Sequence, residues 1–244
     1  MKKLILFSAI LGAVLFMTSC FGEISSNYSD TTFVYIDNDD SGTTYGKTIS
    51  LYSPTRLITA NELILMMPGS FKIMSYKWEE NYGNKPIFVD GQSYKADNVR
   101  LTDEFIDVDT KGLNMYSLPE GMVSQKFVEI AHPIFANSAD FMGDNWLIQY
   151  TYDVNKGLTS SVEFYKRDGL DANDNIVIDV YLSHTGTPNG TVVERKTDYI
   201  AVNMSSLRSE NVGKDSYKVK FVYYLKDRTE QIESQSYTLL LKEI

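Results

Sequence analysis

The stretch WLIQYTYD, residues 146–153, decides the fold. Trp146, Ile148, Tyr150 and Tyr152 fall on every second position, with Gln149, Thr151 and Asp153 between them. Successive side chains of a strand point to opposite faces, so this is a strand with one apolar face to bury. The same alternation recurs downstream between turn signals. Val162 and Phe164 follow Asn155-Lys156-Gly157, and Ile176, Ile178, Val180 and Leu182 follow the polar stretch 168–175. Ile200, Val202 and Met204 come after Pro188-Asn189-Gly190. Tyr217, Val219, Phe221, Tyr223 and Leu225 form the longest run, with Lys218, Lys220 and Lys226 outward, and Tyr237, Leu239 and Leu241 close the chain. Strands with one apolar face each must bury it against a second sheet. Residues 112–244 are therefore expected to form an antiparallel β-sandwich.

Upstream the strands are shorter. Phe33–Ile36 and Lys47–Tyr52 flank the turn cluster DNDDSGTT (37–44), with Ile49 and Leu51 on one face of the second. Leu63–Met67 is apolar and ends at Pro68-Gly69. Phe71–Glu80 alternates with Met74, Tyr76 and Trp78 on one face; NYGNKP (81–86) breaks it. Ile87–Val89 runs into Asp90-Gly91, a hairpin signal, and Val99–Val108 is a further strand-like run. Several short strands between residues 33 and 111 suggest a small barrel or meander. The stretch TKGLNMYSLPEG (110–121) contains three turn formers and is the expected boundary. Phe127–Ala131 reads as a strand stopped by His132-Pro133, because a residue before proline avoids helical backbone. The class is all-β.

The segment MKKLILFSAILGAVLFMTSC (1–20) states where the chain resides. Lys2 and Lys3 precede an apolar run, Leu4–Met17, of 14 residues. A membrane-spanning helix needs about 20, so this is a secretory signal rather than a span. Cys20 is the only cysteine. Removing the 19 residues before it, two of them lysines, leaves 225 of 244 and takes the formal charge from −9 to −11. Such a balance argues against a nucleic-acid partner, which would need a clustered basic surface. With 43% apolar residues, 13% aromatic and 17 tyrosines, the chain can bury a core and leans to strands. Residues 20–32 are polar and read as a tether.

Small residues running into a lone cysteine resemble a bacterial lipobox, which implies cleavage before Cys20 and its acylation. Met17 stands where such motifs usually have Leu. Acidic residues directly after the cysteine would resemble a surface-export signal, but only Glu23 is present, leaving the membrane face open. A lipobox, a small strand-rich unit and a C-terminal sandwich are together similar to the NigD-like lipoproteins of Bacteroidetes. The stretches that carry this are WLIQYTYD (146–153), IVIDVYLSHTG (176–186) and DYIAVNMSSLRS (198–209). The resemblance implies an OB-like barrel over about 33–111 and an outer-membrane location. It implies no biochemical activity.

Asp37-Asn-Asp39-Asp-Ser41-Gly42 has the first half of a calcium loop, but position 12 would be Thr48 instead of a bidentate Glu, so an acidic turn is the better reading. DGLDANDN (168–175) is read likewise as a solvated turn. His132 and His184 are the only histidines and have no metal-ligand spacing. Neither G-x-S-x-G nor H-E-x-x-H occurs, and the adjacent acids Glu79-Glu80 and Asp103-Glu104 point to opposite faces of a strand. The expected role is therefore non-enzymatic: a lipid-anchored envelope protein that binds or assembles. It requires neither cofactor nor metal, and its partners are a membrane through Cys20 and an envelope protein or glycan. The alternative is a glycan-binding lipoprotein using Tyr76, Trp78 and Tyr82 as stacking platforms, with Tyr224 also outward.

Overall fold

The computed structural model describes residues 27–49, 55–136 and 139–241. Cys20, the signal segment and Leu51 lie outside these residues. β1 (Tyr28–Asn38) and β2 (Thr44–Ile49) form a hairpin, and β3 (Leu57–Thr59) pairs with β2. β4 (Phe71–Trp78) runs antiparallel to the other edge of β1, from Tyr35↔Phe71 to Tyr28↔Trp78. β5 (Asn84–Val89) and β6 (Gln92–Asn98) are joined by Asp90 and Gly91 at φ 52° and 72°, the two-residue turn that their dipeptide signals. Past Val99 the same segment continues as β7 (Arg100–Leu101). β6 pairs with β3 and β7 with β4, so β1, β2, β3, β6–β7 and β4 close into a small barrel. Val34, Ile36, Ile58, Met74, Tyr76 and Val99 fill it.

Two local expectations change here, and the apolar run Leu63–Met67 resolves into a turn. A 3-10 turn at Glu62–Leu65 turns Leu63 and Met66 inward as plugs of the barrel and leaves Ile64, Leu65 and Met67 exposed. The run Val99–Val108 is broken by a bend at Thr102 and Asp103, where the Thr102 amide bonds the Ser75 carbonyl. And 110–114, the start of the turn-rich stretch, is extended. It belongs to β8 (Ile106–Asn114).

The second half comprises β9 (Phe127–Ile130), the short helix α1 (Ala139–Met142), β10 (Asn145–Asn155), β11 (Leu158–Lys166), β12 (Asn175–Gly186), β13 (Val193–Asn203), α2 (Ser205–Glu210), β14 (Ser216–Tyr224), β15 (Gln231–Glu233) and β16 (Tyr237–Leu240). One sheet holds β9, β10 and β13; the other holds β11, β12, β14, β15 and β16. The expected inward positions are the ones that meet. Trp146, Ile148, Phe164, Ile178, Val202 and Phe221 lie in one cluster. Trp146 stacks on Phe135 at 4.1 Å and meets Phe221 and Tyr237 edge-on.

β8 ties the halves together. Ile106–Val108 pair with β4 of the barrel, Asp109–Gly112 run parallel to β13, and Leu113–Asn114 run parallel to β11. One strand thus closes one edge of the sandwich and attaches it to the barrel. On the outer face of the sandwich, Leu147 and Ala201 pack with Tyr35, Phe71 and Val108 of the barrel side and with Met142. This explains why β10 begins with Trp146, Leu147 and Ile148 all buried. No helix among the described residues is long and apolar enough to cross a membrane.

Candidate functional site

The expected aromatic platform is taken up by the protein itself. Tyr76 is 1% exposed and belongs to the barrel core, so it offers no face to a ligand. Trp78 is half-buried; its ring stacks on Tyr28 at 5.7 Å and its indole N–H donates to the Gly83 carbonyl. The Arg56 guanidinium sits 4.1 Å from the Tyr28 ring centre, and that phenol donates to Asp97 at 2.6 Å. Arg100 covers Tyr82 at 4.3 Å. Cations over aromatic faces are favourable by about 0.5–1 kcal/mol at exposed sites. A sugar ring would have to displace them.

The two acidic loops are likewise self-satisfied. Asp39 is buried and accepts the Ser41 hydroxyl and the amides of Ser41, Thr43 and Phe88. Asp171 accepts the amides of Asn173 and Asn175, the Asn175 side chain and the Lys220 ammonium. The Asn175 side chain foremost, then these other donors, hold its carboxyl well below the ordinary range. At Asp171 the Lys220 ammonium stands where a cation would be. Among the described residues no group of three or more His, Cys, Asp or Glu is placed to hold a metal ion.

Ser160 Oγ lies 2.9 Å from His184 Nδ1, across the ladder on which the two residues face each other. The neighbouring carboxylate does not extend this into a relay. Asp198 receives the Tyr152 hydroxyl at 2.7 Å instead. Burial, then that hydrogen bond, pushes the Tyr152 phenol up to about 12. The Ser160–His184 contact is a cross-strand polar pair.

A concave feature with an apolar floor lies at the sandwich edge opposite β8. There β9 and β15–β16 belong to different sheets and do not pair, although Phe127 bridges to Leu225 at one end. Towards the other end a cavity of about 190 Å³ opens between the sheets. Its floor is Ile148, Val180 and Phe221, each 3–4% exposed, and its mouth is formed by His132, Pro133, Tyr223 and 233–235. Pro133 stops β9 from continuing, and the chain crosses above the gap before Ile134 bridges to Leu147. His132 Nδ1 and the Tyr237 hydroxyl are 2.8 Å apart. Burial pushes the phenols of Tyr237 and Tyr223 up, so both stay protonated at neutral pH. When Tyr237 donates to Nδ1, the neutral imidazole carries its hydrogen on Nε2.

Sequence reading placed Phe221, Tyr223 and Tyr237 on inward faces and gave His132 a structural or surface role. It could not bring them together, since the cavity joins segments from β9, β10, β12, β14, β15 and β16 or their flanks, and its His132–Tyr237 pair spans 105 positions. The one local signal is His132-Pro133 ending a strand beside an apolar face.

No family model matches the sequence, and comparison with curated proteins finds none similar. Solved structures do match. A protein of unknown function, DUF1344, from Bacteroides vulgatus superposes with a TM-score of 0.58 at 11% identity, covering 87% of this chain and 90% of that one. A candidate lipoprotein from Bacteroides fragilis gives 0.55 at 12% identity, covering 89% and 99%. The chain shares their fold. A NigD-like immunity protein from Bacteroides caccae is also among the matches, with a TM-score of 0.49 at 13% identity over 86% and 96%.

Proposed function

We propose that this chain is a non-enzymatic binding protein of the cell envelope, held at the outer membrane by acyl chains on Cys20. The observation that carries this reading is the lone cysteine at the end of an export signal, a few residues ahead of the fold. Asn27, the first described residue, is seven positions after Cys20. An extended chain spans at most about 3.5 Å per residue, which keeps Asn27 within about 25 Å of the anchor. The fold shared with a candidate lipoprotein supports the same location. One myristoyl-length chain holds a protein only marginally, so stable residence needs several acyl chains. Labelled palmitate should enter the wild-type protein and not Cys20→Ser, and that variant should leave the membrane fraction. Retention of Cys20→Ser on the membrane would overturn the reading.

The glycan alternative would now rest on Trp78 and Tyr82 alone, with Arg100 as the group to displace. If it holds, Tyr82→Ala removes binding on a glycan array while leaving membrane attachment intact. An unchanged array profile removes it.

A further inference from the structure

The two sheets do not close on each other along the β9 edge, and the gap has the composition of a small-molecule site. Ile148, Val180 and Phe221 make a dry floor, while His132, Tyr223 and Tyr237 bring polar atoms to its mouth. A cavity of about 150 Å³ lined by apolar side chains is enough to take up benzene. The 190 Å³ here accommodates one ring with a substituent. Charge narrows the class. Glu233 at the mouth shares the Lys220 ammonium with Asp171, at 3.0 and 3.1 Å, and the nearby Arg167 guanidinium is held by Asp179 at 2.6 Å, so three carboxylates face two cations. The local balance is negative, as it is over the whole chain, and an anionic ligand is disfavoured.

We propose that this edge of the sandwich binds a small uncharged amphiphile of single-ring, phenol-like chemistry. Its ring lies against Ile148, Val180 and Phe221, and its hydroxyl joins the His132–Tyr237 pair. The proposal rests on the binding-module reading above but not on the lipid anchor, and the two fail separately: anchoring is read by fractionation, ligand uptake by spectroscopy.

The test uses the full chain carrying Cys20→Ser, with p-cresol as probe and toluene as its hydroxyl-free counterpart. Methyl NMR should show saturable shifts at Ile130, Ile148 and Val180. Val180→Phe fills the cavity and should weaken p-cresol at least tenfold. His132→Ala, at an exposed position, should erase the preference for p-cresol over toluene, a difference of about fivefold for one hydrogen bond. Absence of saturable shifts at these methyls, or a preference for p-cresol that survives His132→Ala, would overturn the proposal. So would a folded Val180→Phe with unchanged affinity. Should Val180→Phe not fold, the His132 comparison still decides.

Discussion

Gly143 sits at φ +61°, and a Cβ built on it would stand 2.5 Å from the Tyr35 hydroxyl of β1. Left-handed backbone costs a non-glycine residue roughly 1–2 kcal/mol, and overpacking adds about 1–3. Gly143→Ala should therefore lower stability by about 2–5 kcal/mol in denaturant titration. Gly42, at φ +82° with open space around it, should lose only about 1–2. Tyr35→Phe, by removing the oxygen, should recover part of the Gly143→Ala loss, and no recovery would show that the clash is not the cause. Asp39 makes a pH-dependent prediction. Burial pushes its carboxyl up, but the Ser41 hydroxyl and the amides of Phe88, Thr43 and Ser41 outweigh burial and hold it below the ordinary value. A carboxyl depressed in the folded state contributes stability above its unfolded pKa of about 3.9, and loses it as pH falls through the folded one. Asp39→Asn should cost about 1–3 kcal/mol at pH 7, with the gap to wild type closing below about pH 4. The turn at Asp39 was legible in DNDDSGTT. Its bond to Phe88, 49 positions away, was not, because only the folded barrel brings that amide within reach.

β8 illustrates where local reading fails. Its segment TKGLN (110–114) has a glycine among polar residues, and strand propensity is set largely by neighbours the strand has yet to meet. Gly112 adopts ordinary backbone, and a Cβ there meets nothing within 4 Å. Gly112→Val should thus be nearly neutral in thermal melting, within about 0.5–1 kcal/mol. Leu113, the next residue, is buried in the sandwich core where β8 passes to β11. Leu113→Ala should cost about 2–5 kcal/mol. Equal effects at the two positions would contradict the role given to the strand. The 3-10 turn at Glu62–Leu65 escaped for a related reason. Five apolar residues in a row have no period, and only the barrel decides that Leu63 and Met66, three apart, point inward. Regular two-residue alternation on β10, β12 and β14 left no such freedom, and there the inward residues were read directly.

Barrel and sandwich share an apolar contact as well as a strand. Ala201 is fully buried between them on the outer face of β13. A carboxylate there would be unpaired in apolar surroundings. Wild type should melt in a single calorimetric transition, and Ala201→Asp should split it into two or lower both halves together. An unchanged profile would mean that the contact contributes nothing to cooperativity. The hairpin at one end of the molecule has a different consequence. β1 is the first strand after the tether, and it is hydrogen-bonded on both sides, to β4 over residues 28–35 and to β2 over residues 33–38. If the chain is anchored through Cys20 as proposed, a tug from the bilayer pulls along the length of that strand. Its bonds are then loaded in shear and must give way together, unlike a peeled edge strand that unzips one rung at a time.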